Sequence, residues 1–402
     1  EVAEGDAYSI ERNVSLNAQV KGTLNIFRHI LAGELALDVR DLSALEFELE
    51  TGKRGSRDTV LRNLLKNLSG AEEAMVVNNN ASAVFLMLRT LTAGKEVIVS
   101  RGELVEIGGS FRIPDIMRES GAILVEVGTT NRTRLSDYEQ AINENTAAIL
   151  KVHTSNYVIE GFTESVEISK LVELAKTRGL YCLHDWGSGT FYQFEQKALQ
   201  NYPTVQQEIQ KRADIICFSA DKLLGAVQGG IILGSKAAIE KMRKHPLYRA
   251  LRADKVTLGL LESVLEAYFE PESLKEKVTG IRLLERTPEE IRAQATQMLD
   301  KLFPESDSGW IFRIEETDSR TGGGAFPELP LPSSAMVISH PRYKAQEIQN
   351  WLRSQSIPVI VRVQTESVWF DFRTVFEEDE KVLSETLRLM LKSSILEQAH
   401  ET

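Results

Sequence analysis

The sequence predicts an α/β protein built on a seven-stranded, mostly parallel sheet and followed by a smaller α+β domain. Three observations carry that expectation. Short apolar runs bounded by turn residues recur through the first two thirds of the chain, helical periodicity fills the gaps between them, and the pattern turns helical after Gly234 before strands and helices mix again.

Taken in order, residues 1–50 stand apart as an N-terminal segment with four basic and ten acidic residues, 4 − 10 = −6. A large domain is expected over 51–268. Its strands are read at 74–77, 96–100, 122–127, 147–152, 180–185, 214–218 and 230–233, and its helices include 81–91, 135–143 and 165–177. Strand–helix alternation makes most of the sheet parallel. The step from 218 to 230 is too short for a helical crossover, so the last pair is a hairpin and one strand is antiparallel. Leucines and valines at three- and four-residue steps give a long helix over 251–269. A small C-terminal domain, 269–402, is read with strands at 335–339, 359–363 and 368–372 and helices at 344–355 and 377–392. Residues 309–332, with Gly322-Gly323-Gly324 and three prolines, read as a loop.

Composition narrows the function. The 402 residues carry 47 Lys+Arg and 58 Asp+Glu, a net charge of −11, which argues against a general nucleic-acid binder. No apolar run approaches the ~20 residues that a membrane helix needs, and the charged start is unlike a secretory signal, so a cytoplasmic protein without a membrane partner is expected. Cys182 and Cys217 lie in apolar strand-like runs and read as reduced, structural thiols. No metal site is expected.

The chemistry concentrates at strand ends. Lys222 follows the run that ends in Phe218-Ser219, where an amine can reach a ligand over the sheet edge. A free lysine titrates at ~10.4, so a Schiff-base lysine needs a cleft that lowers its pKa. Asp185 closes the preceding strand and is followed by Trp186-Gly187-Ser188-Gly189. Pyridoxal 5'-phosphate (PLP) enzymes need such a pair, a carboxylate on the pyridine nitrogen and a lysine on the aldehyde. The turn Asn78-Asn79-Asn80-Ala81-Ser82 opens a helix whose free N–H groups cradle a phosphate, to which Ser219 adds a hydroxyl. An Asn-rich turn is also a common helix cap.

At these residues the chain resembles the bacterial selenocysteine synthases, the L-seryl-tRNA(Sec) selenium transferases. The resemblance rests on Gly52-Lys53-Arg54-Gly55-Ser56-Arg57, on the run from Ser100-Arg101-Gly102-Glu103 to Ile113-Pro114, on Gly128-Thr129-Thr130-Asn131-Arg132 and on Lys151-Val152-His153-Thr154. It continues in Asp221-Lys222-Leu223-Leu224-Gly225, Arg249-Ala250-Leu251-Arg252, Pro327-Glu328-Leu329 and Phe370-Asp371-Phe372-Arg373.

The resemblance implies the aspartate-aminotransferase-like fold (fold type I), PLP as cofactor and Lys222 as the Schiff-base lysine. It implies β-replacement on a serine carried by tRNA(Sec), with Arg249, Arg252 and one of Arg54 or Arg57 holding a selenophosphate-like oxyanion. Guanidiniums suit a tetrahedral oxyanion because they are permanently charged and bidentate. His153, or residues of Arg101–Glu106, is implied at the cofactor ring, to stack on it or to handle protons, and a homo-oligomer, a dimer or ring of dimers, is expected.

Two departures from the family's pattern hold open an alternative, a homologous PLP lyase or transferase acting on a small amino acid or amino-sugar acid. The acidic segment 1–50, which reads Asn17-Ala18-Gln19-Val20 where the family has an Asn-Ala-Thr-Gly turn, repels a phosphate backbone. Trp186 is a bulky neighbour for Asp185, and Gly225-Ala226-Val227-Gln228 replaces a Gly-Gly-Pro-Gln stretch.

Overall fold

The structure, a computed structural model, describes residues 57–107, 111–302, 309–321 and 330–391, together with the backbone of 47–48 and 53–54. Seven strands form the main sheet: β1 (Glu73–Val77), β2 (Glu96–Ser100), β3 (Ile123–Val127), β4 (Thr146–Val152), β5 (Tyr181–Ser188), β6 (Ile215–Ser219) and β7 (Gly230–Gly234). Their spatial order is β1-β7-β6-β5-β4-β2-β3. All seven fall where the apolar runs place them. β7 alone runs antiparallel, to β6 on one side and β1 on the other, and this bears out the hairpin expected between 218 and 230 and the fold type I class.

The sheet is buried on both faces, which is why its strands read as nearly continuous apolar runs. On one face Val76, Ile98, Ile149, Cys182, Ile216 and Ile231 pack with side chains of the helices Thr59–Ser69, Ile168–Arg178 and Lys255–Ala267. On the other, Met75, Val97, Leu150, Leu183, Cys217 and Ile232 meet the helices Asn80–Leu91, Ile113–Ser120 and Lys236–Lys244. Each fully buried side chain of this size contributes roughly 1.5–3 kcal/mol. Cys182 and Cys217 are free and buried, and they lie in these opposite layers, as befits structural thiols. The first apolar layer continues through Leu274, Val278 and Ile281.

A four-stranded antiparallel sheet follows: β8 (Ile311–Ser319), β9 (Leu331–Ser339), β10 (Arg362–Gln364) and β11 (Ser367–Asp371), in the order β8-β9-β11-β10. The helices Ala345–Arg353 and Glu377–Leu391 pack against it. Here the sequence expectation is corrected, because β8 lies inside the stretch read as loop. It pairs with β9 over its whole length, from Ile311 opposite Ser339 to Ser319 opposite Leu331. β8 is an edge strand with Arg313, Glu315 and Asp318 along it, and only Phe312 and Ile314 join the apolar cluster. Charge on an edge blunts unwanted pairing and hides the strand from an apolar-run search. The triple glycine 322–324 and the 327–329 motif lie outside the described residues, as do 1–46 with the Asn17–Val20 departure.

Because β1, β4, β5 and β6 point the same way, their C-terminal ends share one edge with the start of β7. That edge is where α/β sheets bind ligands. Gly230 is required there: a Cβ would stand 2.2 Å from the carbonyl oxygen of Asn79. Gly230→Ala should therefore lower the melting temperature, an overpacking cost of about 1–3 kcal/mol, as read by thermal unfolding. An unchanged melting temperature would mean that the 78–80 turn can retreat freely.

Candidate active site

The turn after β1 is set by Asn79, the helix N-cap, with extended backbone and a side chain that accepts the Ser82 N–H at 2.8 Å. The capping reading thus holds for its side chain. The first helical N–H groups, of Asn80 and Ala81, precede the first intrahelical donor, Ala83 N–H to Asn79 O at 3.2 Å, so they are the groups that a helix start offers to an anion. Asn80 turns its side chain elsewhere and donates Nδ2–H to Asp185 Oδ1 at 2.9 Å.

Asp185 is 6 % exposed. Burial pushes its carboxyl above the usual range, while the Asn80 amide, the Lys222 charge, the Gly187 N–H and the Cys217 thiol oppose that rise. Cys217 lies opposite Asp185 in the β5–β6 register and contacts the same Oδ1 at 3.9 Å. After Asp185 the register shifts, and Trp186 packs into the core, stacked on Tyr202 at 5.6 Å and edge-on to Phe218 at 6.0 Å.

Lys222 stands just beyond β6 in a turn closed by Gly225 N–H to Lys222 O at 2.9 Å. Burial lowers its pKa, and Asp185 and Asp221 pull it back up. Its charge is felt at Asp185 and at His153. His153 follows β4, and its own N–H donates to Asp185 O at 2.9 Å. Burial, then Lys222 and Lys151, hold the His153 imidazole down at about 4, neutral at pH 7. Ser219 ends β6 opposite Gly230, the glycine that lies against Asn79. Asn79 to Ser82, His153, Asp185, Ser219 and Lys222 are thus gathered at one sheet edge.

The arginines form a second group beside it. Asp58 is buried and takes an ion pair from Arg243 at 2.9 Å and a hydrogen bond from the Tyr248 hydroxyl at 3.3 Å. The Arg252 guanidinium lies over the Tyr248 ring at 5.4 Å, and Leu251 O accepts the Asn78 N–H at 2.9 Å, which joins this group to the phosphate turn. Among the described residues no carboxylate pairs with Arg252, and its buried Nε has no hydrogen-bond partner. Arg57 is partly buried next to Asp58, and Arg249 is exposed at the end of the helix Pro246–Ala250. The Arg54 side chain lies outside the described residues.

The fit to a phosphorylated heteroaromatic ring is good on the structure's own terms. Among the described residues the buried carboxylate meets only amide, thiol and backbone donors on its own oxygens, it feels the Lys222 charge, and Asn80 Oδ1 is a buried acceptor without a hydrogen-bond partner. Sequence reasoning missed Cys217, Asp58, Arg243 and Tyr248, whose roles depend on register and on contacts across nearly two hundred positions. It also missed the cleft of about 740 Å³ that adjoins His153 and Trp186 and holds two tight ion pairs, Lys151–Glu103 and Lys211–Glu208, each at 2.5 Å. Glu103 and Lys151 fall in motifs already noted, but nothing local pairs them across 48 positions of sequence, and Glu208 and Lys211 lie in no motif.

Comparison with known proteins adds three findings. The profile of the L-seryl-tRNA selenium transferase family, SelA, matches residues 24–376. The chain is 43% identical over 389 residues to the L-seryl-tRNA(Sec) selenium transferase of Alkaliphilus metalliredigens, covering 94% of this chain and 83% of that one. It is 47% identical over 350 residues to that of Aquifex aeolicus, covering 87% and 76%. Among solved structures, D-glucosaminate-6-phosphate ammonia-lyase superposes with a TM-score of 0.57 at 20% identity, covering 90% of this chain and 93% of that one.

His153 carries a pH signature. In the unfolded chain an imidazole takes up its proton near 6.5, whereas in the fold His153 waits until about 4, so its contribution is complete above 6.5 and lost as pH falls through that window. The gap is worth up to about 3 kcal/mol. His153→Gln should flatten the fall of melting temperature between pH 6.5 and 4, and an unchanged slope would assign that fall to other groups.

Proposed function

Because the chain belongs to the L-seryl-tRNA selenium transferase family, we propose that it converts the serine of seryl-tRNA(Sec) to selenocysteine with PLP as cofactor and a selenophosphate-like donor. The observation that carries this reading is the Lys222–Asp185–Asn80 arrangement at the C-terminal sheet edge, joined through Leu251 and Asn78 to the Arg252 guanidinium, which meets no carboxylate among the described residues.

Bound PLP supplies an electron sink that acidifies the serine Cα–H and lets the β-substituent leave. The N–H groups of Asn80 and Ala81 and the hydroxyls of Ser82 and Ser219 would hold its phosphate. Asp185 would hold the ring nitrogen protonated, a pairing that also compensates its own burial. Burial lowers the pKa of Lys222, which favours its amine as the base that would take the proton from Cα and return it at the end. Neutral His153 would line the ring without adding charge. Across the reaction the Cβ–O bond breaks and the hydroxyl takes up a proton and leaves as water, a Cβ–Se bond forms to the donor's selenium, and water then breaks the donor's P–Se bond so that phosphate leaves. Arg252 and Arg249, with one of Arg57 or Arg54, would hold the donor's oxyanion. The amino-sugar-acid alternative has behind it only a fold likeness at 20% identity.

Borohydride treatment of the PLP-incubated protein should fix a pyridoxyl group on Lys222, read by peptide mass, and Lys222→Ala should carry none. A wild type that takes up no PLP contradicts the proposal. Arg252→Ala should keep that label yet bind thiophosphate at least about tenfold more weakly, the loss of a hydrogen bond to a charged group. Unchanged thiophosphate binding would remove Arg252 from the donor pocket.

A further inference from the structure

Asn80 belongs to the turn at the phosphate end of the site, yet its side-chain amide crosses 105 positions of sequence to reach Asp185 Oδ1 at 2.9 Å. Its neighbour Asn79 is committed locally to the Ser82 N–H. The other side-chain donor to Oδ1, the Cys217 thiol, is a weak one at 3.9 Å. Asn80 stands at the first helical position, so its backbone N–H can face an anion while its side chain is held elsewhere.

We propose that Asn80 is a positioning residue for Asp185: its amide clasps the phosphate turn of β1 to the carboxylate of β5, so that its side chain serves the ring end of the cofactor and not the phosphate end. This rests on the PLP reading above. A carboxylate buried this far needs donors to stay charged and to keep one orientation. Among the described residues Asn80 supplies the strongest side-chain hydrogen bond that Asp185 receives, and it ties the positions of the two cofactor ends to each other.

The two ends can be probed apart with PLP, with pyridoxal, which lacks the phosphate, and with inorganic phosphate. Asn80→Ala should weaken PLP and pyridoxal by the same factor, roughly ten- to hundredfold for a lost hydrogen bond to a charged group, and leave inorganic phosphate binding unchanged. Ser82→Ala should weaken PLP and not pyridoxal. In an Asp185→Ala background, Asn80→Ala should have no further effect on pyridoxal, an outcome that a general structural role would not give. If Asp185→Ala does not fold, the single-variant contrast with Ser82→Ala decides. Pyridoxal affinity unmoved by Asn80→Ala, with PLP weakened, would make Asn80 a phosphate ligand and overturn the assignment alone. A wild type that binds neither PLP nor pyridoxal would overturn the PLP reading and the assignment with it.

Discussion

A single buried carboxylate organises this protein. Asp185 is held almost out of water at the end of β5, and a charge so placed is costly unless donors and an opposite charge surround it. The amide of Asn80 after β1, the Gly187 N–H of β5 itself, the Cys217 thiol of β6 and the charge of Lys222 beyond β6 meet that requirement. Asn80, Cys217 and Lys222 reach Asp185 because β1, β5 and β6 run parallel and finish on the same edge, with β7 reversed between β1 and β6 to bring the first strand alongside. The same constraint makes the site receptive to a ring with a protonated nitrogen, since such a ring offers the carboxylate a cation.

The arginine group is built on a second buried carboxylate. Asp58 fixes Arg243 and Tyr248; Tyr248 in turn carries Arg252 on its ring face, and Arg243 Nη2 reaches back to Ala74 O in β1 at 2.5 Å. A guanidinium held this way by stacking keeps its own hydrogen-bond donors available. Under the proposed function the two carboxylates would divide the work, one presenting a negative charge to the cofactor ring and the other propping up a positive charge for an oxyanion.

Much of this was legible before the fold was seen. The seven main strands announce themselves as apolar runs because a sheet covered on both faces has no polar side, and the short 218–230 step reveals the reversed strand. Lys222, Asp185 and the Asn79–Ser82 turn are readable because such sites sit at strand ends, where sequence order and spatial order agree. β8 was hidden by its charges, as an edge strand is. The side-chain roles of Asn79 and Asn80 were merged in the sequence, since adjacent asparagines look alike until one is seen capping a helix and the other crossing to β5. Cys217 looked purely structural, and only the β5–β6 register shows it facing a carboxylate. The Asp58–Arg243–Tyr248 clasp has no local signature at all.

The proposed chemistry turns on a serine carried by tRNA and worked on at Lys222. The most direct measurement is a titration of the PLP-loaded protein with seryl-tRNA(Sec) and, separately, with free L-serine, following the cofactor's absorbance. The account predicts a spectral change with the charged tRNA and none with the free amino acid. A response to free L-serine alone would contradict it and make the protein a small-molecule enzyme.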